Sequence, residues 1–359
     1  MKEDSIIFLA QNHMFKSQQD FTNSLFGAYA YEPIIARNTD HILIRLNRLI
    51  DWSFVEEEVA DCYSSEGRNA LHPVMMLKFL ILQKLFDRSE REVMVDTDCN
   101  IINRYFVGLG LTEDVPHWTD LGKFKERIGT DRLENLFYRV LEEAERLGIE
   151  IGQKRIVDAT DVIANVDTAR CVKDKNDDDD HDFIDRNTSD TDARFGSKGK
   201  GKRSWYGYKS STNLDAKTDL VTAVWTTDAS IPDGAVLPTL IDAEQAHRGE
   251  DAIAAQGGDK GYVGNQAALS ERKVRDYTIP RDNMKIEKRR KDRNPWYRQL
   301  KHLRYKIERK QSEAKNRHGL GKARYRGLQK VHWQGLLTYI AINLKRIANI
   351  LLPVQRPTW

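Results

Sequence analysis

Cysteine is scarce in this chain: Cys62, Cys99 and Cys171 are the only three in 359 residues, and no two stand at Cys-x-x-Cys spacing. So few, unpaired thiols give neither a disulfide framework nor a zinc knuckle, and they read as ordinary reduced cysteines. Long apolar runs are missing as well. The longest stretch, Val74 to Phe86, is broken by Lys78, Gln83 and Lys84 and falls short of a bilayer span. The first residues lack the basic, apolar and small-residue sequence of an export leader, which predicts a cytoplasmic protein. Excess charge of one sign is small too, +3 from 57 Lys/Arg and 54 Asp/Glu, so the total alone says little about nucleic acid. An apolar content of 40% over this length suffices for two domains with real cores.

The distribution of charge is another matter. Residues 281–330 hold 19 Lys/Arg against 5 Asp/Glu, a local charge of +14 that leaves −11 for the remainder. A basic stripe of that density attracts phosphate backbones, the alternative being a solvated helix surface. Residues 174–192 are the converse, with nine Asp and two basic residues, including Asp177 to Asp180, followed by Lys198, Lys200, Lys202 and Arg203 among glycines. Like charges in such blocks repel, and the spacing is not that of a calcium loop, so a disordered acidic loop over about 172–203 is predicted.

Residues 1–42 read as an N-terminal arm of weak periodicity. From 43 to 149 the pattern is helical: His72-Pro73 opens an apolar helix to about Phe86, and Leu133, Leu136, Phe137, Val140, Leu141, Ala144 and Leu147 recur at helical spacing after a cap at Asp131. A helix-turn-helix-like DNA-binding element is placed around residues 88–127. After Gly148 the texture becomes mixed. Strands are predicted at Arg155–Ile163, Tyr206–Leu214, Leu220–Thr226, Ala252–Gln256 and Asp276–Arg281, with a helix from Ala235 to His247 behind the Pro232-Asp233-Gly234 turn, which Asp233 caps. Helices return from about Trp296 to Leu351, so an α/β domain over 150–352 follows the helical one, and 353–359 form a tail.

Three acids are hard to explain structurally. Asp158 interrupts an apolar strand, Asp259 follows Gly257-Gly258 and precedes Lys260-Gly261-Tyr262, and Glu308 sits in a strongly basic helix. Each alone reads as an exposed cap or an ion pair. Together they match what phosphodiester chemistry needs, carboxylates that hold two Mg²⁺ about 4 Å apart. At about 100° per residue, Arg304, Glu308 and Lys315 fall on one helical face, a carboxylate flanked by two cations suited to phosphate. An ordinary Arg–Glu pair is the plainer alternative. Asp161, three residues past Asp158, points to the opposite side of the strand and reads as structural. Lys260 and Tyr262 either touch DNA or close the turn. Trp205 and Trp296 either stack on an unpaired base or pack in a core.

The chain resembles the bacterial insertion-sequence transposases of the DDE type, in the group of insertion sequences 5 and 1182. The resemblance rests on Val157-Asp158-Ala159-Thr160, Gly207-Tyr208-Lys209, Asp259-Lys260-Gly261-Tyr262 and the Arg304, Glu308, Lys315 spacing, with Leu71-His72-Pro73, Arg324 to Leu328 and Asn343 to Arg346 in support. It covers about residues 43–351. It departs at Lys301, where the family has Tyr, with Tyr297 one turn earlier.

What the resemblance implies is an α/β, ribonuclease-H-like (retroviral-integrase-type) catalytic core behind an all-helical N-terminal domain. Asp158, Asp259 and Glu308 would be both catalytic and metal-binding, with Mg²⁺ (two ions, Mn²⁺ as substitute) as cofactor. Lys260, Arg304, Lys315, Lys301, Arg309 and Arg324 are the candidates for DNA contact. The implied partners are double-stranded DNA, as terminal inverted repeats and target, and a second copy of the chain in a dimer or larger assembly on the nucleoid. A structure-directed nuclease without strand transfer, and an inactive DNA-binding protein, are the alternatives.

Overall fold

The chain groups into two units, Met1–Leu147 with Ile340–Trp359, and Gly148–Tyr339. The computed structural model describes residues 25–63, 70–173, 184–187, 189–197 and 204–354. Residues 1–24 of the arm expected over 1–42, the acid run at 177–180 and the cations at 198–203 lie outside the described residues, whereas 25–37 of that arm form a helix.

The first unit is built of helices Leu25–Arg37, Ile42–Leu49, Ser53–Val59, Pro73–Leu85, Glu90–Cys99, Ile101–Val107 and Thr119–Arg146. Pro73 opens its helix where a missing N–H costs nothing, and all thirteen residues of that helix are buried, as its apolar sequence requires. Lys78 is buried with them. Its Nζ donates to Asn47 Oδ1 at 2.9 Å and lies 4.9 Å from the Trp52 ring centroid, and burial lowers its pKa to about 7. The region expected to hold a helix-turn-helix contains Glu90–Cys99, started by a Ser89/Glu92 capping box, and Ile101–Val107, whose first N–H groups bond Asn100 Oδ1. The segment Thr119–Arg146 is two helices that meet at Gly129 (φ 64°, ψ −169°), a conformation glycine adopts without strain, so the second starts where a helix from Asp131 was expected.

Among the described residues the second unit contains eight strands: β1 Lys154–Ile163, β2 Cys171–Lys173, β3 Ile184–Asn187, β4 Arg194–Ser197, β5 Ser204–Asp215, β6 Val221–Asp228, β7 Ala255–Gly257 and β8 Arg275–Asp276. β2 and β3 form a separate two-stranded ladder and β4 pairs with β5, so parts of the segment 172–203, expected to be a disordered loop, form strands. In the main sheet β1 pairs antiparallel with β5 and parallel with β7, β7 pairs parallel with β8, and β5 pairs on its other edge with β4 and β6. Val157, Ala223, Ile253 and Tyr262 pack with Leu237, Leu240 and Ile241 of the helix Leu237–Arg248 on one face. Helices Pro295–Leu303 and Tyr305–Arg317 pack against β1, and the first of them also against β7. The Cβ that Gly257 lacks would stand 3.1 Å from Leu300 Cβ, which shows how closely that helix approaches β7.

Two strands are shorter than expected. β7 begins only at Ala255, because Glu250–Ala252 form a 3₁₀ turn, and β8 has only two residues, although Tyr277 and Ile279 beyond it still donate to Gln256 and Gly258. The final helix, Leu328–Leu351, was expected to lie wholly in the α/β domain, yet its turns from Ile340 onward group with the helical unit. There Arg45 of the helix Ile42–Leu49 donates to Ala348 O at 2.6 Å and to Asn349 Oδ1 at 2.9 Å.

Candidate active site

The β1–β7 pairing places two of the three acids. Ile156 is in register with Gly257, the last pair of the parallel ladder. Asp158, in the middle of β1, and Asp259, just beyond the end of β7, each follow that pair by two residues, so alternation places both past the end of the parallel ladder and directs them to one face. Gly258 between them is obligatory. A Cβ there would lie 2.9 Å from Val157 Cγ1 and 3.0 Å from the Tyr262 ring.

Asp158 is poorly compensated. Its Oδ1 accepts from the Ala159 N–H at 2.9 Å, and it forms no ion pair with any described residue. Burial raises its pKa to about 6, opposed by the Ala159 hydrogen bond, reinforced by the Asp259 carboxylate and to a smaller degree by Asp233, and opposed again by the Arg304 guanidinium. Asp259 accepts from the Gly261 N–H at 2.7 Å and so caps the short 3₁₀ turn Lys260–Tyr262. The Tyr262 ring is 1% exposed, which makes it a core residue beneath the acids and not a DNA contact. Burial foremost, and then Asp158, Asp233 and Asp259, push its hydroxyl pKa well up.

Glu308 lies on the exposed side of the helix Tyr305–Arg317 and accepts from Arg304 Nη2 at 3.2 Å. Arg304, whose own backbone is αR, separates that helix from Pro295–Leu303. It therefore links the third acid to the field of the first. Among the described residues no group of three or more His, Cys, Asp or Glu side chains is close enough to hold a metal ion.

Lys315 does not join Arg304 and Glu308; its Nζ pairs with Asp161 Oδ1 at 2.8 Å, across 154 residues of sequence. Asp161 is accordingly satisfied by a partner, as a structural acid must be. Of the other cations, Lys260 pairs with Asp282 at 2.7 Å, Lys301 with Asp292 at 3.3 Å and Arg309 with Asp219 at 3.2 Å. The Arg324 N–H donates to Gln334 Oε1 at 2.8 Å. Tyr297 is fully buried. Trp296 is partly buried, with Lys154 Nζ 4.2 Å from its ring centroid.

Sequence reasoning missed Asp233. It was expected to cap the next helix, but neither the 3₁₀ turn Asp233–Val236 nor Leu237–Arg248 has a side-chain cap. Instead its Oδ1 pairs with Lys209 Nζ at 2.9 Å, and both residues line a recess of about 80 Å³ with Thr160, Asp161 and Trp205. The only hint in the sequence was Lys209 in Gly207-Tyr208-Lys209.

No helix among the described residues is long and apolar enough to cross a membrane. A family model described as Transposase DDE domain matches residues 152–344, and one described as Transposase domain (DUF772) matches residues 32–127. Comparison with curated proteins and with solved structures found no match. The two domains in this order are those of an insertion-sequence transposase, and the group of insertion sequences 5 and 1182 fits the pairing. With the first model spanning more than half of its residues, including β1, β7 and the helix of Glu308, this chain belongs to the DDE-domain transposases of insertion sequences, enzymes whose substrate is DNA.

Proposed function

We propose that the chain cleaves DNA at the ends of its element and joins the freed end to target DNA, in a magnesium-dependent reaction carried by Asp158, Asp259 and Glu308. The observation that carries this reading is the common register of Asp158 and Asp259, two residues beyond the last β1–β7 pair, with burial, and then the Asp259 carboxylate, raising the Asp158 carboxyl to a pKa of about 6. A ribonuclease-H-like core is supported by the strand order β6-β5-β1-β7-β8, antiparallel on one side of β1 and parallel on the other. Asp158 then lies on the first of these five strands, Asp259 behind the fourth and Glu308 on a later helix.

The donor set suits a hard divalent ion. Carboxylate oxygens that lack a cationic partner are what Mg²⁺ takes, keeping several waters and a substrate phosphate in its shell, and Mn²⁺ accepts the same donors. Asp158 and Asp259 would hold it, with Glu308 joining them on release from Arg304. Bound there, the ions supply acidity to the attacking water or 3′-hydroxyl and stabilise the leaving oxygen. The chain's own groups do the rest. The buried Tyr262 ring and Val157 keep the acids on a rigid floor, Ala159 N–H and Gly261 N–H orient Asp158 and Asp259, and Arg304, freed from Glu308, binds a DNA phosphate as a fork of donors. Joining two element ends requires two copies of this site, hence a homodimer or larger assembly on DNA.

The test is cleavage of element-end DNA with Mg²⁺ by Asp158→Asn, Asp259→Asn and Glu308→Gln. Each is expected to lose at least roughly 10²-fold in cleavage rate while still binding DNA. Unimpaired cleavage in all three removes this active site. Cleaved but never joined products from the wild type point to a nuclease instead.

A further inference from the structure

The segment from Arg281 to Arg293 carries seven cations and three acids. All three acids are occupied: Asp282 by Lys260, Glu287 by Lys291 at 3.3 Å and Asp292 by Lys301. Lys291 is also the anchor of the helix Lys285–Asp292. Its side chain is 9% exposed and its Nζ reaches Asp276 Oδ2 at 3.1 Å and Thr278 O at 2.9 Å, which fixes the side of the helix that faces the protein. On the other side Lys285, Arg289 and Arg293 are exposed, and none has an ion pair or side-chain hydrogen bond with a described residue. Spaced by four, they form a row about 12 Å long. Beside that row stands Ile286, 85% exposed, next to Arg289 and Arg290 at helical spacing. Arg290 borders an open cleft of about 490 Å³ that Ser270, Lys273 and Arg275 also line.

We infer that the outer face of the helix Lys285–Asp292 is a docking surface for duplex DNA, with a phosphate strand along Lys285, Arg289 and Arg293 and Ile286 against the sugar edge of the minor groove. The inference deepens the transposase reading and rests on it. Over about 12 Å of axis one DNA strand presents three to four phosphates, which matches a row of three cations. Exposed cations without acid partners release counterions on binding, whereas the paired Lys260, Lys301 and Arg309 must first give up their acids. An isolated, almost fully solvated isoleucine is unfavourable in water but suits the apolar wedges that minor-groove proteins use. The helix is thus held by one buried cation and leaves the others free for the backbone.

The experiment measures binding of a mixed-sequence duplex of about 40 base pairs, without divalent metal, over roughly 50–200 mM salt. In Lys285→Gln/Arg289→Gln/Arg293→Gln, shown by circular dichroism and melting to be folded, the slope of log affinity against log salt is expected to shrink by about 2 to 3, near 0.9 per lost phosphate contact. Arg289→Gln alone should lower it by about 1. Ile286→Ala should weaken binding roughly fivefold at unchanged slope, because an apolar contact releases no counterion. A triple variant with wild-type slope and affinity, beside a wild type that binds, overturns the docking surface and leaves the transposase reading intact. A wild type that binds no duplex overturns the reading beneath it. Loss of affinity in Ile286→Ala that tracks a DNA-independent change in self-association would overturn the wedge and assign Ile286 to a contact between copies.

Discussion

Arg155 and Asp158 are three residues apart on one strand and were given opposite electrostatic surroundings. Arg155 is completely buried, but its guanidinium donates to Glu244 at 2.7 Å and to Asp215 at 3.0 Å, and to the carbonyls of Gly152 and Ala252. Asn213 and Thr222 bond the second Glu244 oxygen. Asp158, less deeply buried, has one backbone N–H, two carboxylates and the Arg304 guanidinium in its field, and no ion pair with a described residue. Folding could have neutralised either charge. It completed the first and left the second in deficit, and a buried charge left in deficit is the arrangement that perturbed functional groups have in common.

The largest effect should come from breaking the completed end. Arg155→Met leaves buried Asp215 without its cation and Glu244 with Arg248 at 3.5 Å alone, and should destabilise the α/β unit by about 3–5 kcal/mol, read by chemical denaturation. A loss under about 1 kcal/mol would mean water already reaches the network. Next is the deficient end. A carboxyl whose folded pKa, about 6, exceeds its unfolded value, 3.8, favours folding below pH 4, and that stability is lost as pH rises through 6. Asp158→Asn should therefore stabilise the metal-free protein on the order of 2 kcal/mol at pH 7.5 and hardly at all at pH 4. Added Mn²⁺ should raise the melting temperature of the wild type and not of the variant. A variant less stable than wild type at pH 7.5 would show that Asp158 is compensated after all. The smallest effect belongs to Asp161–Lys315, whose side chains are about a quarter exposed. Lys315→Ala should cost about 0.2–1 kcal/mol, and a larger loss would move this pair to the structural side of the comparison.

Much of this was legible. β1 announced itself as a β-branched run carrying an acid, the Pro73 helix as an apolar block behind His72-Pro73, and Asp259 as an acid between two glycines and Lys-Gly-Tyr. Each signal is local, set by backbone preference and side-chain period. What escaped was decided at a distance. Asp233 reads as a cap because it follows Pro232 and precedes Gly234, and only the approach of β5 brings Lys209 to it. Lys315 reads as a phosphate ligand from its helical spacing, until Asp161 is found within its reach. β7 and β8 are too short to show a period of two and exist because β1 holds the first and the first holds the second.

By itself the sequence determined where strands and helices form, which acids interrupt apolar segments and where positive charge accumulates, since those follow from residues near one another in the chain. Tertiary structure alone decided which charges find partners. Arg155 meets Asp215 and Glu244 from 60 and 89 residues away, Lys285, Arg289 and Arg293 meet no acid among the described residues, and Asp158 meets Asp259 because two parallel strands share a register. Electrostatic energy depends on separation in space and on exclusion of water, and neither is written in the spacing of residues along a chain.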